Sequence, residues 1–166
     1  QIQVQIQSRY GVSDQQAALV GRSVLYIGQG GRTVRDYLYD FQEKTYKSID
    51  VTLYAHHLLE ESQAVDFDYT NTASPRLFVS REDGTVCALL YERNTAVAAW
   101  SRITVGGGKV KNVAAIPAEE GYDELYLSVE RGGIFYLERL TERGASDRAC
   151  YLDSYSAYTR ETDKSE

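Results

Sequence analysis

Strict alternation of apolar and polar residues opens the chain: in Gln1-Ile-Gln-Val-Gln-Ile-Gln7 the side chains of Ile2, Val4 and Ile6 share one face. The same period recurs in Val65-Asp-Phe-Asp-Tyr69, where Asp66 and Asp68 oppose Val65, Phe67 and Tyr69. A period of two belongs to half-buried β-strands, because successive strand side chains point to opposite faces. Helical spacing is sustained only briefly. Ser13 to Val20, capped by Ser13, predicts about two turns and Ala55 to Ser62 about one and a half, both as connectors.

A repeat organises the rest. Val24-Leu-Tyr-Ile-Gly-Gln-Gly-Gly31, Leu77-Phe-Val-Ser-Arg-Glu-Asp-Gly84 and Leu125-Tyr-Leu-Ser-Val-Glu-Arg-Gly132 superpose without gaps. Each is an apolar strand running into a turn, and past the glycine each climbs into a second strand carrying Val34, Cys87 or Phe135. The unit is a β-hairpin, with Gly31, Gly84 and Gly132 as structural turn residues. Asp83-Gly84, Gly30-Gly31 and Gly132-Gly133 supply the positive φ that a tight hairpin turn needs.

Successive hairpins start 53 and 48 residues apart, about the length of a four-stranded propeller blade. One strand precedes each hairpin, at Gln16 to Val20, Val65 to Tyr69 and Asn112 to Ile116, and another follows the first two, at Ser48 to Tyr54 and Val97 to Ile103. The expected fold is all-β: repeated four-stranded antiparallel blades in a partial or modified β-propeller. The domain spans residues 1–152, with blades at about 16–54, 65–103 and 112–152, followed by a polar tail over 153–166. The third blade lacks a clear fourth strand. Gln1 to Gln7 either fills that edge or belongs to a preceding blade, and the latter is preferred. An ordinary antiparallel sandwich with regularly spaced hairpins is the competing arrangement.

Composition agrees with a packed β-domain. Of 166 residues, 43% are hydrophobic and 25% charged, which excludes a disordered or collagen-like chain, and 14 of the aromatic residues are Tyr, a residue favoured in strands. No apolar run approaches the roughly 20 residues of a membrane-spanning helix, so no membrane insertion is expected. The chain starts at Gln1 and contains no Met, which points to a piece of a longer polypeptide; Cys87 and Cys150 are too few for a disulfide framework. The net charge is −6, and the whole excess falls after residue 60, where 18 acidic residues face 12 basic ones. Such a chain has no basic footprint for gripping phosphate, but suits a surface past which DNA must slide.

Over Arg22 to Leu140, about seven tenths of the chain, the residues resemble a family. The likeness is carried by Val24-Leu-Tyr-Ile27, Gly31, Val34-Arg-Asp-Tyr37, Asp50-Val-Thr-Leu53 and Ala55-His-His-Leu58, then Arg81-Glu-Asp-Gly-Thr-Val-Cys-Ala-Leu-Leu-Tyr91. It continues through Val97-Ala-Ala-Trp-Ser-Arg102, Val113-Ala-Ala-Ile-Pro117, Asp123-Glu-Leu-Tyr-Leu127 and Tyr136-Leu-Glu-Arg139. The chain resembles the β-propeller tail proteins of bacteriophages and prophages, described as tail-tube, nozzle, hub or stabilisation proteins of short-tailed phages. In that family Tyr151 to Tyr158 looks like the exit from the propeller to another domain; here a polar tail follows.

Motifs for chemistry are mostly missing. Gly106-Gly-Gly108 sits between two strands and reads as an inter-blade linker, no G-x-S-x-G elbow or C-x-x-C pair occurs, and adjacent His56 and His57 cannot clamp zinc from one helical face. Cys87, mid-strand, reads as a small core residue, and Glu119 and Glu120 as a solvated loop. Asp66 and Asp68 lie about 7 Å apart on one strand face, close enough to share a proton or a Ca²⁺, or to act as paired glycosidase carboxylates. Because the first strand of a blade faces the central channel, a solvated acidic channel wall is the plainer expectation for them. Trp100 reads as an inter-blade packing residue, with a sugar-stacking platform as the alternative.

The resemblance implies a structural role: building or stabilising the tail conduit through which a genome passes, without catalysis or cofactor. It implies a homo-oligomer or other tail proteins as partners, DNA passing without tight binding, and a place in the virion tail, or in the bacterial cytoplasm when expressed from a prophage. The competing function is a receptor-binding module for cell-surface polysaccharide.

Overall fold

The computed structural model describes residues 6–71, 75–95, 97–118 and 122–140. Strands β1 (Ala18–Val20), β2 (Ser23–Ile27), β3 (Val34–Asp40) and β4 (Thr45–Asp50) form one antiparallel sheet in chain order. A short helix, α1 (His57–Glu60), leads to β5 (Ala64–Thr70), β6 (Arg76–Arg81), β7 (Val86–Glu92) and β8 (Val97–Ile103), a second sheet of the same order. The third sheet holds β9 (Lys109–Pro117), β10 (Asp123–Arg131) and β11 (Ile134–Leu140). The chain is therefore all-β and built of repeated antiparallel meanders, two of four strands and one of three among the described residues. No closed barrel or ring joins the described sheets.

Each sheet packs face to face on the next, and β6 displays the principle. Leu77 and Val79 point to the first sheet, where they join Leu25, Ile27 and Val34 in one core with Leu59 of α1. Phe78, between them in sequence, points to the third sheet and meets Val110, Leu125, Leu127 and Val129. A middle sheet covered on both sides needs apolar residues at consecutive positions, which is why Leu77-Phe-Val79 does not alternate. The third sheet alternates instead, so that β10 buries Leu125, Leu127 and Val129 and leaves Tyr126, Ser128 and Glu130 on its other face.

The expected elements recur with local differences. Ser13 to Val20 forms no helix: Val12 bridges Gly28, the Ser13 N–H donates to Ile27 O at 2.9 Å, and Ala18–Val20 pairs with β2. Strand pairing over a longer stretch outweighs about two turns of isolated helix, which are marginal in water. The fourth strand of the first sheet runs over Thr45–Asp50 rather than Ser48 to Tyr54. Lys44, at φ 53°, reverses the chain early, and Asp50 Oδ1 accepts from the Thr52 N–H at 2.8 Å and from its hydroxyl at 2.5 Å, which ends the strand. Gln1 to Gln5, Glu119, Glu120, Cys150 and the end of the third expected blade with its polar tail lie outside the described residues.

Candidate functional site

The seams between sheets are where polar side chains of this chain act. Asp66 pairs with Ser80 and Asp68 with Phe78, so the two carboxylates share the face of β5 turned toward the third sheet. Asp66 Oδ2 accepts the Val113 N–H at 3.1 Å and the Asn112 side-chain amide at 3.3 Å; Asp68 Oδ2 accepts the Ala115 N–H at 2.7 Å. Their Oδ1 atoms accept the N–H groups of Phe67 and Tyr69. β5 thus reaches β9 through carboxylates spaced like every second residue of the strand they hold. Both side chains are half-buried, and Ser80 adds a hydroxyl donated to Lys111 O at 3.2 Å.

The hairpin tips join the seams through their glycines. Gly31 O accepts the Ala64 N–H at 2.8 Å, and Gly84 O accepts the Val110 N–H at 2.9 Å. Equivalent glycines of consecutive sheets therefore hold the first strand of the following sheet. The second turn is not a two-residue turn with both φ values positive. Gly84 alone is left-handed at φ 90°, with Gly84 N–H donating to Arg81 O and Arg81 N–H to Thr85 O, a type I turn closed by a glycine bulge. In the third hairpin Gly132 and Gly133 have φ 57° and 82° between paired Arg131 and Ile134, as the two-residue turn requires.

The seam between the first and second sheets holds Trp100 and a buried polar cluster. Trp100 is half-buried against the core and donates its indole Nε1–H to Val51 O at 2.9 Å, which ties β8 to the segment after β4. Across the same seam Asp36 of β3, fully buried, accepts from the Tyr91 hydroxyl at 2.5 Å and from Arg93 at 3.0 Å through Oδ2. Arg93 also donates to the Ser23 hydroxyl at 2.8 Å. Burial, then the bond to Asp36, pushes the Tyr91 phenol far above its ordinary value. Beside this cluster a cleft of about 780 Å³ opens, lined by Tyr39, Phe41, Tyr69, Tyr91, Arg22 and Arg93, among others.

Sequence reasoning missed Asp36, Tyr91 and Arg93. Part of the signal was present: Asp36 sits inside a strand between Val34 and Tyr37, next to Arg35, and a carboxylate buried there must find donors. His57 and His56 start or cap α1, whose Leu58 and Leu59 are buried, and among the described residues no group of three or more His, Cys, Asp or Glu could hold a metal ion. Cys87 is buried and free, and burial pushes its thiol up, away from the reactive thiolate. Gly107 and Gly108 connect the second sheet to the third, and a Cβ on Gly108 would meet Val129 Cγ1 at 2.7 Å. No protein-family model matches the chain, and no curated protein matches it significantly.

Proposed function

We propose that this chain is a structural module of a bacteriophage or prophage tail, a group of propeller-type blades that helps build or stabilise the conduit for the genome. The observation that carries the reading is the repeated seam: sheets of one order, stacked in chain order and joined through equivalent glycines, make a rigid wall with no need of catalysis. The first strands of the second and third sheets run side by side, with Asp66 and Asp68 between them. In a propeller these strands surround the central channel, and here Asp66 and Asp68 are not the solvated channel wall expected from the sequence: bonded to the β9 backbone, they tie the two inner strands together.

Immunogold labelling tests the proposal: antibody against this chain should decorate the tails of purified particles whose genome carries the sequence. Particles that lack the protein, or label only on the capsid, would overturn it. A second reading, recognition of a cell-surface polysaccharide, is favoured by the aromatic cleft, because Tyr39, Phe41 and Tyr69 offer rings to a sugar's apolar face and Arg22 offers donors. Saturable binding on a glycan array that Phe41→Ala removes would establish that reading.

A further inference from the structure

The two internal seams are built alike, and among the described residues the chain carries one half of the same seam at each end of the stack, the half on the first sheet being partly covered by residues 6–12, where Tyr10 lies over buried Arg35 beside buried Tyr26. On the third sheet, Ile116, Tyr126, Phe135 and Leu137 share the face turned away from the second sheet, as the pairing of β10 with β9 and β11 requires. Phe135 is 63% and Leu137 77% exposed. Tyr126 is the repeat equivalent of Phe78, which on the second sheet packs into the following seam. On the first sheet, Leu19, Val24, Tyr37 and Tyr46 share the opposite face, with Leu19 73% exposed. Val24 is the equivalent of Leu77 and Leu125, each of which packs into a preceding seam.

The first sheet also carries the strap that goes with a preceding seam. Where the second sheet follows the first, the Glu82 N–H donates to Gln63 O at 2.9 Å, in the segment leading into β5. At the first sheet the Gln29 N–H, in the equivalent position, donates to Gly11 O at 3.0 Å. At the other end, the place where a Cβ of Gly132 would sit is open, whereas the matching positions of Gly31 and Gly84 meet the first strand of the next sheet.

We infer that two copies of this chain pair head to tail, the third sheet of each laying Phe135 and Leu137 on the Leu19 and Val24 face of the other's first sheet. The contact continues an interface the chain already makes twice, and a head-to-tail contact must close into a ring or grow into a fibre. Three sheets per chain make six from two copies, within the roughly four to eight blades of closed propellers, so the pair closes. This inference rests on the structural reading above. Tails that contain the protein as a monomer would overturn the pairing alone, whereas a dimer absent from tails would overturn the reading alone.

Sedimentation velocity and native mass spectrometry of the full 166-residue chain test it. The chain should be a dimer at micromolar concentration. Leu137→Glu and Leu19→Glu, each at an exposed site outside both cores, should each be monomeric with an unchanged melting temperature, while Tyr54→Glu, at an exposed site away from both faces, should stay dimeric. An equimolar mixture of the two monomeric variants, at the highest attainable concentration, should recover a dimer, since one intact head then meets one intact tail. A wild-type monomer, a dimer that survives either face variant, or a mixture that stays monomeric would overturn the inference.

Discussion

Oδ2 of Asp68, on β5, accepts the backbone N–H of Ala115, on β9, at 2.7 Å, so that a side chain of one sheet stands in for the neighbouring strand of the next. A strand edge presents backbone donors that must be paired, and here alternate carboxylates pair them. Removing the acceptor leaves the Ala115 N–H without a partner at a half-buried seam. Asp68→Ala should therefore cost about 1–3 kcal/mol in denaturant unfolding, and Asp68→Asn, which keeps an acceptor, clearly less. Amide exchange at Ala115 should accelerate in the alanine variant. An unchanged exchange rate there would show that the seam is held by apolar packing alone.

The hairpin glycines should divide by what surrounds them. A Cβ on Gly84 would lie 2.5 Å from Lys109 Cβ and 2.8 Å from its Cα, in addition to the φ of 90°. A Cβ on Gly132 would meet nothing, so its replacement bears only the left-handed backbone cost of about 1–2 kcal/mol. Gly84→Ala should lower the melting temperature more than Gly132→Ala, because it strains the turn and also pushes β9 off the tip. Equal effects would mean that the Gly84 to Val110 seam yields without cost.

Much of this fold was legible because hairpins announce themselves locally. Apolar strands around Asp83-Gly84 or Gly132-Gly133 have one economical arrangement, and three of them at similar spacing give three sheets. The edge strand before the first hairpin was legible at Gln16 to Val20 and stands at Ala18–Val20, whereas the helical turns also expected over Ser13 to Val20 do not form, because β2, across a turn, decides the matter by pairing rather than by propensity. For Asp66 and Asp68 the shared face followed from alternation, whereas their engagement with Val113 and Ala115 did not, since contacts 47 residues apart depend on how two sheets sit together. The Asp36, Tyr91 and Arg93 cluster was hidden for the same reason: its members lie 55 and 57 residues apart from Asp36 and meet only across a seam.

Trp100 offers a test that separates packing from sugar stacking. Trp100→Phe keeps most of the ring but loses the bond to Val51 O, so it should cost about 1 kcal/mol, and Trp100→Ala should cost about 3 kcal/mol or somewhat less because the ring is only half-buried. Thermal unfolding of the two variants gives the comparison. A Trp100→Ala protein of wild-type stability that has lost glycan binding would instead make the ring a platform.

The Asp36 and Tyr91 pair makes the seam between the first and second sheets sensitive to alkali. In the folded chain the Tyr91 phenol is held in its neutral form, first by burial and then by the bond it donates to Asp36. In the unfolded chain the same phenol ionises near its ordinary value of about 10. Above that pH the unfolded state sheds a proton that the folded state keeps, so the stability due to Tyr91, fully present below about pH 10, is lost as pH rises. Tyr69, raised mainly by burial, and Tyr126, raised mainly by its bond to Glu124, act in the same direction. Tyr91→Phe removes the titrating group and leaves Oδ2 of buried Asp36 with Arg93. The variant should be less stable at neutral pH by about 1.5–3 kcal/mol, the worth of a hydrogen bond to a charged acceptor. It should also lose less of its remaining stability between pH 9 and 11 than the wild type, with Tyr69 and Tyr126 supplying what loss persists. Urea unfolding across that range gives both numbers, and parallel decline of the two proteins would show that the Tyr91 hydroxyl is not held by Asp36.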